Sequence, residues 1–68
     1  MNNLFEVKTI TPFKGNDVVS VKRDGNFNIL VIVRIDADHQ IDSRMIERCK
    51  LPEGSGKFMK VSWDDLNP

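Results

Sequence analysis

The side chains that could perform chemistry are gathered in the middle of the chain. Asp36, Asp38 and Asp42 lie close together, His39 stands among them, and Glu47 follows. Counted from Asp36, oxygen-bearing side chains fall at positions 1, 3, 5, 7 and 12, which is the ligand spacing of a calcium-binding loop. The spacing therefore allows a metal site at Asp36, Asp38, Asp42 and Glu47, or an enzymatic site in which Asp36 or Asp38 orients His39.

A simpler interpretation of this segment is a polar turn. Position 6 of a calcium loop is a glycine because the chain turns sharply there, and Ile41 occupies that position. A strand-like run precedes the acids, where a calcium loop would follow a helix. We therefore favour a solvated turn with no catalytic residue, no bound metal and no cofactor, and keep the metal or enzymatic site as an alternative.

A second group of residues could contact phosphates. It consists of four cations and one aromatic residue: Arg44, Arg48, Lys57, Phe58 and Lys60. Arginine and lysine bind phosphate oxygens, and an exposed aromatic ring can stack on a base. Nucleic-acid binding through this local basic face is a second alternative, although ten basic residues balance ten acidic ones over the whole chain.

Length and composition limit the remaining possibilities. The chain has 68 residues and a single cysteine, so one small domain (1–68) without an internal disulfide is expected. Small secreted domains usually depend on several disulfides, which makes a cytoplasmic location the expectation. No apolar run approaches the ~20 residues that cross a bilayer, so no membrane contact is expected.

Four segments have the composition of strands. They are residues 4–10, 18–23, 27–35 and 57–63, which alternate apolar with polar side chains or are rich in β-branched ones. Asp24-Gly25 separates the second segment from the third, and this dipeptide suits the two-residue turn of a β-hairpin. We therefore predict that these two segments form a hairpin. Ser62 and Asp65 have the spacing of a capping box and predict a final helical turn.

Residues 41–51 are ambiguous between helix and strand. Ile41, Met45, Ile46 and Cys49 fall on one face of a helix, whereas a strand would separate Ile46 from Met45. We favour a short helix with Cys49 in the core. The expected fold is thus mostly β or α+β: a twisted antiparallel sheet of about four strands, open or curled towards an SH3-like barrel, with one short helix after the third strand.

The third strand bears on function because it is apolar on both faces. Ile29, Val31 and Val33 share one face, and Leu30 and Ile32 share the other. Such a strand is central and is covered twice. Either the sheet closes on itself, or Leu30 and Ile32, with Trp63 as a further anchor, meet another protein or a second copy of this chain. The main expectation is a non-enzymatic protein-interaction module, regulatory or inhibitory, that acts through a sheet face.

Overall fold

A computed structural model describes residues 3–51 and 54–66, and these residues form five β-strands and three short 3₁₀ turns. The strands are β1 (Phe5–Ile10), β2 (Val18–Lys22), β3 (Ile29–Ile35), β4 (Ile41–Glu47) and β5 (Phe58–Ser62). The 3₁₀ turns are Pro12–Lys14, Arg48–Lys50 and Trp63–Asp65. The mostly β prediction is confirmed. No helix among the described residues has the length and apolar character needed to cross a bilayer.

The larger sheet has three strands in the order β1-β3-β4. β3 pairs with β4 in antiparallel fashion and with β1 in parallel fashion. A parallel pair requires a crossover of the chain, and residues 11–28, which include β2, provide it. The prediction that residues 29–35 form a central strand is confirmed, whereas the prediction of one purely antiparallel sheet is wrong.

The smaller sheet consists of β2 and β5, which are antiparallel, with Val19 opposite Val61 and Lys22 opposite Phe58. Its inward side chains and those of the larger sheet together form the core. The buried residues are Ile10, Val19, Val21, Phe27, Leu30, Ile32, Ile46, Leu51, Met59, Val61 and Leu66. Each sheet therefore covers the inward face of the other, and no helix is needed for that purpose.

The predicted hairpin at Asp24-Gly25 is wrong. The chain does turn there, because the amide of Gly25 donates to the carbonyl of Lys22 at 3.2 Å. It does not return along β2, however, since β2 pairs with β5 and β3 pairs with β1 and β4. Phe27 is buried between the turn and β3. The apolar demand of the core thus directs residues 25–28 from one sheet to the other.

The predicted helix over residues 41–51 is also wrong. Residues 41–47 pair along their whole length with β3, from Ile41 opposite Ile35 to Glu47 opposite Ile29. Ile46 points into the core, while Ile41 and Met45 lie on the outer face. The apparent helical spacing arises because this strand carries apolar residues on both faces. A single 3₁₀ turn follows, and it leaves Cys49 exposed rather than buried.

The turn between β3 and β4 is a tight hairpin with one residue in the left-handed region. The amide of His39 donates to the carbonyl of Asp36 at 2.9 Å, and the amide of Asp36 donates to the carbonyl of Gln40 at 2.9 Å. His39 has φ 66°. This arrangement matches a three-residue hairpin loop that ends in a left-handed residue.

The predicted capping box at the end of the chain is confirmed. The backbone amide of Ser62 donates to Oδ2 of Asp65 at 2.9 Å, and the Ser62 side chain in turn caps the Trp63–Asp65 turn. Val61 and Leu66, on either side of the turn, are both buried. The turn therefore anchors the end of β5 and positions Trp63 against the core.

Substitution of His39 tests the left-handed turn. His39→Val should lower the free energy of unfolding by about 1–2 kcal/mol, because a β-branched residue is poorly tolerated at positive φ. His39→Gly should remain within about 0.5 kcal/mol of the wild type, since glycine adopts this conformation freely but costs more to order. Urea unfolding measures both variants. Equal stability of the two would contradict the assigned conformation.

Candidate interaction surfaces

The outer face of the three-stranded sheet is apolar across all three strands. Strand pairing places side chains in rows, with Val7, Val31 and Met45 together in one row and Ile35 beside Ile41 in another. We call this surface the apolar face. It comprises eight apolar residues and two uncharged polar ones: Phe5, Val7, Thr9, Ile29, Val31, Val33, Ile35, Ile41, Ser43 and Met45.

The exposure of the apolar face is highest on its two edge strands. Phe5, Val7 and Met45 are 55%, 59% and 51% exposed, while the β3 residues between them are half-buried by their neighbours. Glu47, in the row of Phe5 and Ile29, is the one charged residue that pairing places on this side of the three described strands. Three strands of about seven residues cover roughly 14 by 23 Å, which is a patch of about 300 Å² in projection.

The prediction that the Leu30 and Ile32 side of β3 meets a partner is wrong. Leu30 and Ile32 are both 0% exposed and lie beneath β2 and β5, so they are core residues. Among the described strands the sheet does not close on itself; β2 and β5, which form a second sheet, cover this side of β3. The side of β3 left open carries Val31 and Val33, which belong to the apolar face.

Trp63, predicted as a further anchor for a partner, is half-buried and contacts two arginines of the same chain. The guanidinium of Arg44 lies 4.5 Å from the centre of the Trp63 ring, and that of Arg34 lies 5.6 Å from it. Arg44 also donates to the Trp63 carbonyl at 3.2 Å. Arg34 donates to Asp36 at 2.9 Å. The half-buried ring thus stabilises one end of the core, and Arg44 is engaged within the fold.

Arg48 also has a structural position. Its guanidinium donates to the carbonyls of Arg23, Gly25 and Phe27 and lies over the Phe27 ring, 4.9 Å from the ring centre. A planar guanidinium suits several fixed acceptors at once. The residue therefore fastens the connection between β2 and β3 to the end of β4. Of the predicted basic group, Arg44 and Arg48 are used internally, and they do not join Lys57, Phe58 and Lys60.

The remaining members of that group lie on or beside the outer face of the smaller sheet. Phe58 is 53% exposed and stands directly opposite Lys22, while Lys60 stands opposite Ser20. A groove of about 280 Å³ runs beside this face, and its walls include Glu6, Lys8, Ser20, Lys22 and Phe58. Sequence analysis missed Lys8 and Lys22, because only the pairing of β2 with β5 and the approach of β1 bring them to Phe58.

The acidic residues of the β3–β4 turn are dispersed in the structure. Among the described residues, no three His, Cys, Asp or Glu side chains are placed to hold an ion together, so Asp36, Asp38, Asp42 and Glu47 do not converge. Asp36 pairs with Arg34, and Asp38 accepts the amide of Gln40 at 3.4 Å. Asp36 and Asp38 therefore make contacts within the turn, and the turn leads into strand β4.

A larger cleft of about 930 Å³ lies at the end of β3 and β4 that is away from the acidic turn. Its walls include Arg23, Phe27, Arg48 and Leu51 and the exposed Cys49. Gly54 also lines it, and a side-chain carbon at that position would lie 2.8 Å from Nη2 of Arg23. We assign no ligand to the cleft.

The chain matches no known family model, no curated protein and no solved structure.

Substitution of Arg48 by lysine tests the structural role of its guanidinium group. Arg48→Lys keeps the charge but cannot reach three carbonyl groups at once, so it should lower the free energy of unfolding by about 2 kcal/mol. Lys50→Gln, in the same 3₁₀ turn but exposed, is the matched control and should change stability by less than about 0.5 kcal/mol. Guanidinium denaturation compares the two variants. If Arg48→Lys unfolds at the same guanidinium concentration as the wild type, the contacts with the carbonyl groups are dispensable for stability.

Proposed function

We propose that this protein is a non-enzymatic protein-interaction module and that its apolar face associates with the same face of a second copy. The observation that supports the proposal is the continuous row structure of that face. Val7, Val31 and Met45 lie side by side across three strands, and two of the three are more than half exposed. Contiguous apolar surface of this kind on a small domain is typical of a binding site.

The chemistry of the apolar face favours a second copy as its occupant. The face lacks the charges that would select a charged partner, apart from Glu47 at one corner. Two identical sheets have the same twist, so their faces can pack about 10 Å apart at the small angle usual for stacked sheets. The second copy would cover Val31 and Val33, so that β3 would be shielded from water on both of its faces, as a central apolar strand requires.

The size of the face sets the expected strength of this association. Two patches of about 300 Å² in projection bury at least about 600 Å² together, and more when protruding side chains are counted. Stable interfaces bury about 1,200–2,000 Å², so the dimer should be weak and reversible. We expect dissociation in the micromolar range or above.

Analytical ultracentrifugation across about 10 µM to 1 mM should reveal this equilibrium, because a micromolar dissociation constant makes assembly concentration-dependent in that range. Met45→Lys should shift the dimer midpoint at least about tenfold, since it places an unpaired charge in the apolar interface. Ser20→Lys adds the same charge on the exposed outer side of β2 and should associate like the wild type.

Methyl spectra recorded during dilution locate the interface. Shifts should be confined to apolar-face residues such as Val7 and Val31 and absent from the buried Val61. A wild-type chain that is monomeric at the highest concentration would refute self-association, and the occupant would then have to be a different protein. Identical behaviour of Met45→Lys and Ser20→Lys would place any dimer interface elsewhere.

A further inference from the structure

The groove beside the smaller sheet combines cations with an open aromatic ring. Phe58 and Lys22 are cross-strand neighbours on β5 and β2, a relation that brings their Cβ atoms to roughly 5 Å. Lys60 follows two residues along β5 on the same face. Lys8, on the inward side of the edge strand β1, supplies a cation from the opposite wall of the groove. The ring is thus flanked by lysines from three strands.

One acid moderates the charge of this groove. Glu6 lines it and pairs with Lys8 at 3.4 Å, with both side chains partly exposed. Lys8 and Lys22 line the groove with Glu6, and Lys60 lies beside it on the outer face of β5. Together the three lysines leave a net positive site on a chain whose overall charge is zero. Because the whole molecule offers no long-range attraction, this local excess has to act at contact distance.

We propose that this groove and the adjoining outer face of β5 bind single-stranded nucleic acid, with a base stacked on Phe58 and phosphates at Lys22, Lys60 and Lys8. An aromatic ring that is half exposed between cations is the arrangement used by sequence-tolerant single-strand sites, because every base has a face that can stack. An acidic peptide would use the lysines but gain little from the ring. Duplex DNA would not present its bases to a single ring on an open sheet.

The proposal is independent of self-association through the apolar face. The groove lies on the smaller sheet and along its contact with β1, whereas the apolar face is the outer side of the larger sheet. A face-to-face dimer would leave one groove open on each copy. Binding of an oligonucleotide can therefore be present whether or not the protein associates with itself.

Fluorescence anisotropy with a labelled oligothymidylate at low salt tests the site. Phe58→Ala should weaken binding about 5- to 150-fold, which corresponds to the loss of one stacked base. Phe13→Ala is the matched control, because Phe13 is exposed to a similar degree (51%) but lies in the Pro12–Lys14 turn. Circular dichroism of both variants separates loss of binding from loss of fold.

The charges in the groove give a second test, because removal of a lysine and removal of the acid should change binding in opposite directions. Contact of three lysines with phosphates predicts a slope of about −2 when the logarithm of the binding constant is plotted against that of salt concentration. Lys22→Gln should reduce this slope by about 0.7, and Lys50→Gln, in the turn after β4, should leave it unchanged. Glu6→Gln should strengthen binding a few-fold, because it removes the acid that competes for Lys8.

Several outcomes would overturn the proposal. Phe58→Ala binding as tightly as Phe13→Ala would show that no base stacks on the ring. Polyglutamate that competes as well as an oligonucleotide of equal length would identify an acidic peptide as the ligand. No change in anisotropy up to about 1 mM protein at low salt would overturn the proposal, because it would exclude any dissociation constant of about 1 mM or tighter.

Discussion

The structure depends on the burial of one face of β3 by a second sheet. Leu30 and Ile32 project from the centre of the larger sheet and are fully enclosed, together with Val21 and Val61 from the smaller sheet. Among the described residues the strands form these two layers, and the outer face of each sheet carries exposed side chains. The two outer faces are therefore the surfaces that a partner or ligand can reach.

The two outer faces have opposite chemistry, which separates their roles. The larger sheet presents valine, isoleucine and methionine with almost no charge, and the smaller sheet presents lysine beside phenylalanine. Apolar surface gains free energy by leaving water, whereas exposed lysines would lose hydration if they were buried without partners. The first face therefore suits association between protein chains, and the second suits a charged ligand that remains partly solvated.

The sequence predicted local features correctly where local chemistry decides them. Residue types and short spacings predict four of the strands, the central place of β3 and the capping box of Ser62 and Asp65. Asp24-Gly25 does form a turn, but the partner of β2 is chosen by the core, which needs Phe27 inside. Strand β4 resembled a helix because Met45 and Ile46 face opposite sides of a sheet, and an apolar pair of neighbours fits either structure.

The candidate sites were harder to predict because they depend on contacts distant in sequence. Arg44 and Arg48 are of a residue type that binds phosphates, yet Trp63 and three backbone carbonyls engage them in the fold. Lys22 reaches Phe58 only through strand pairing, and Lys8 joins them only because β1 crosses beside β2. A cation's availability is thus set by the acceptors that the fold leaves around it. Composition reports how many cations exist, and topology decides which of them can meet a ligand.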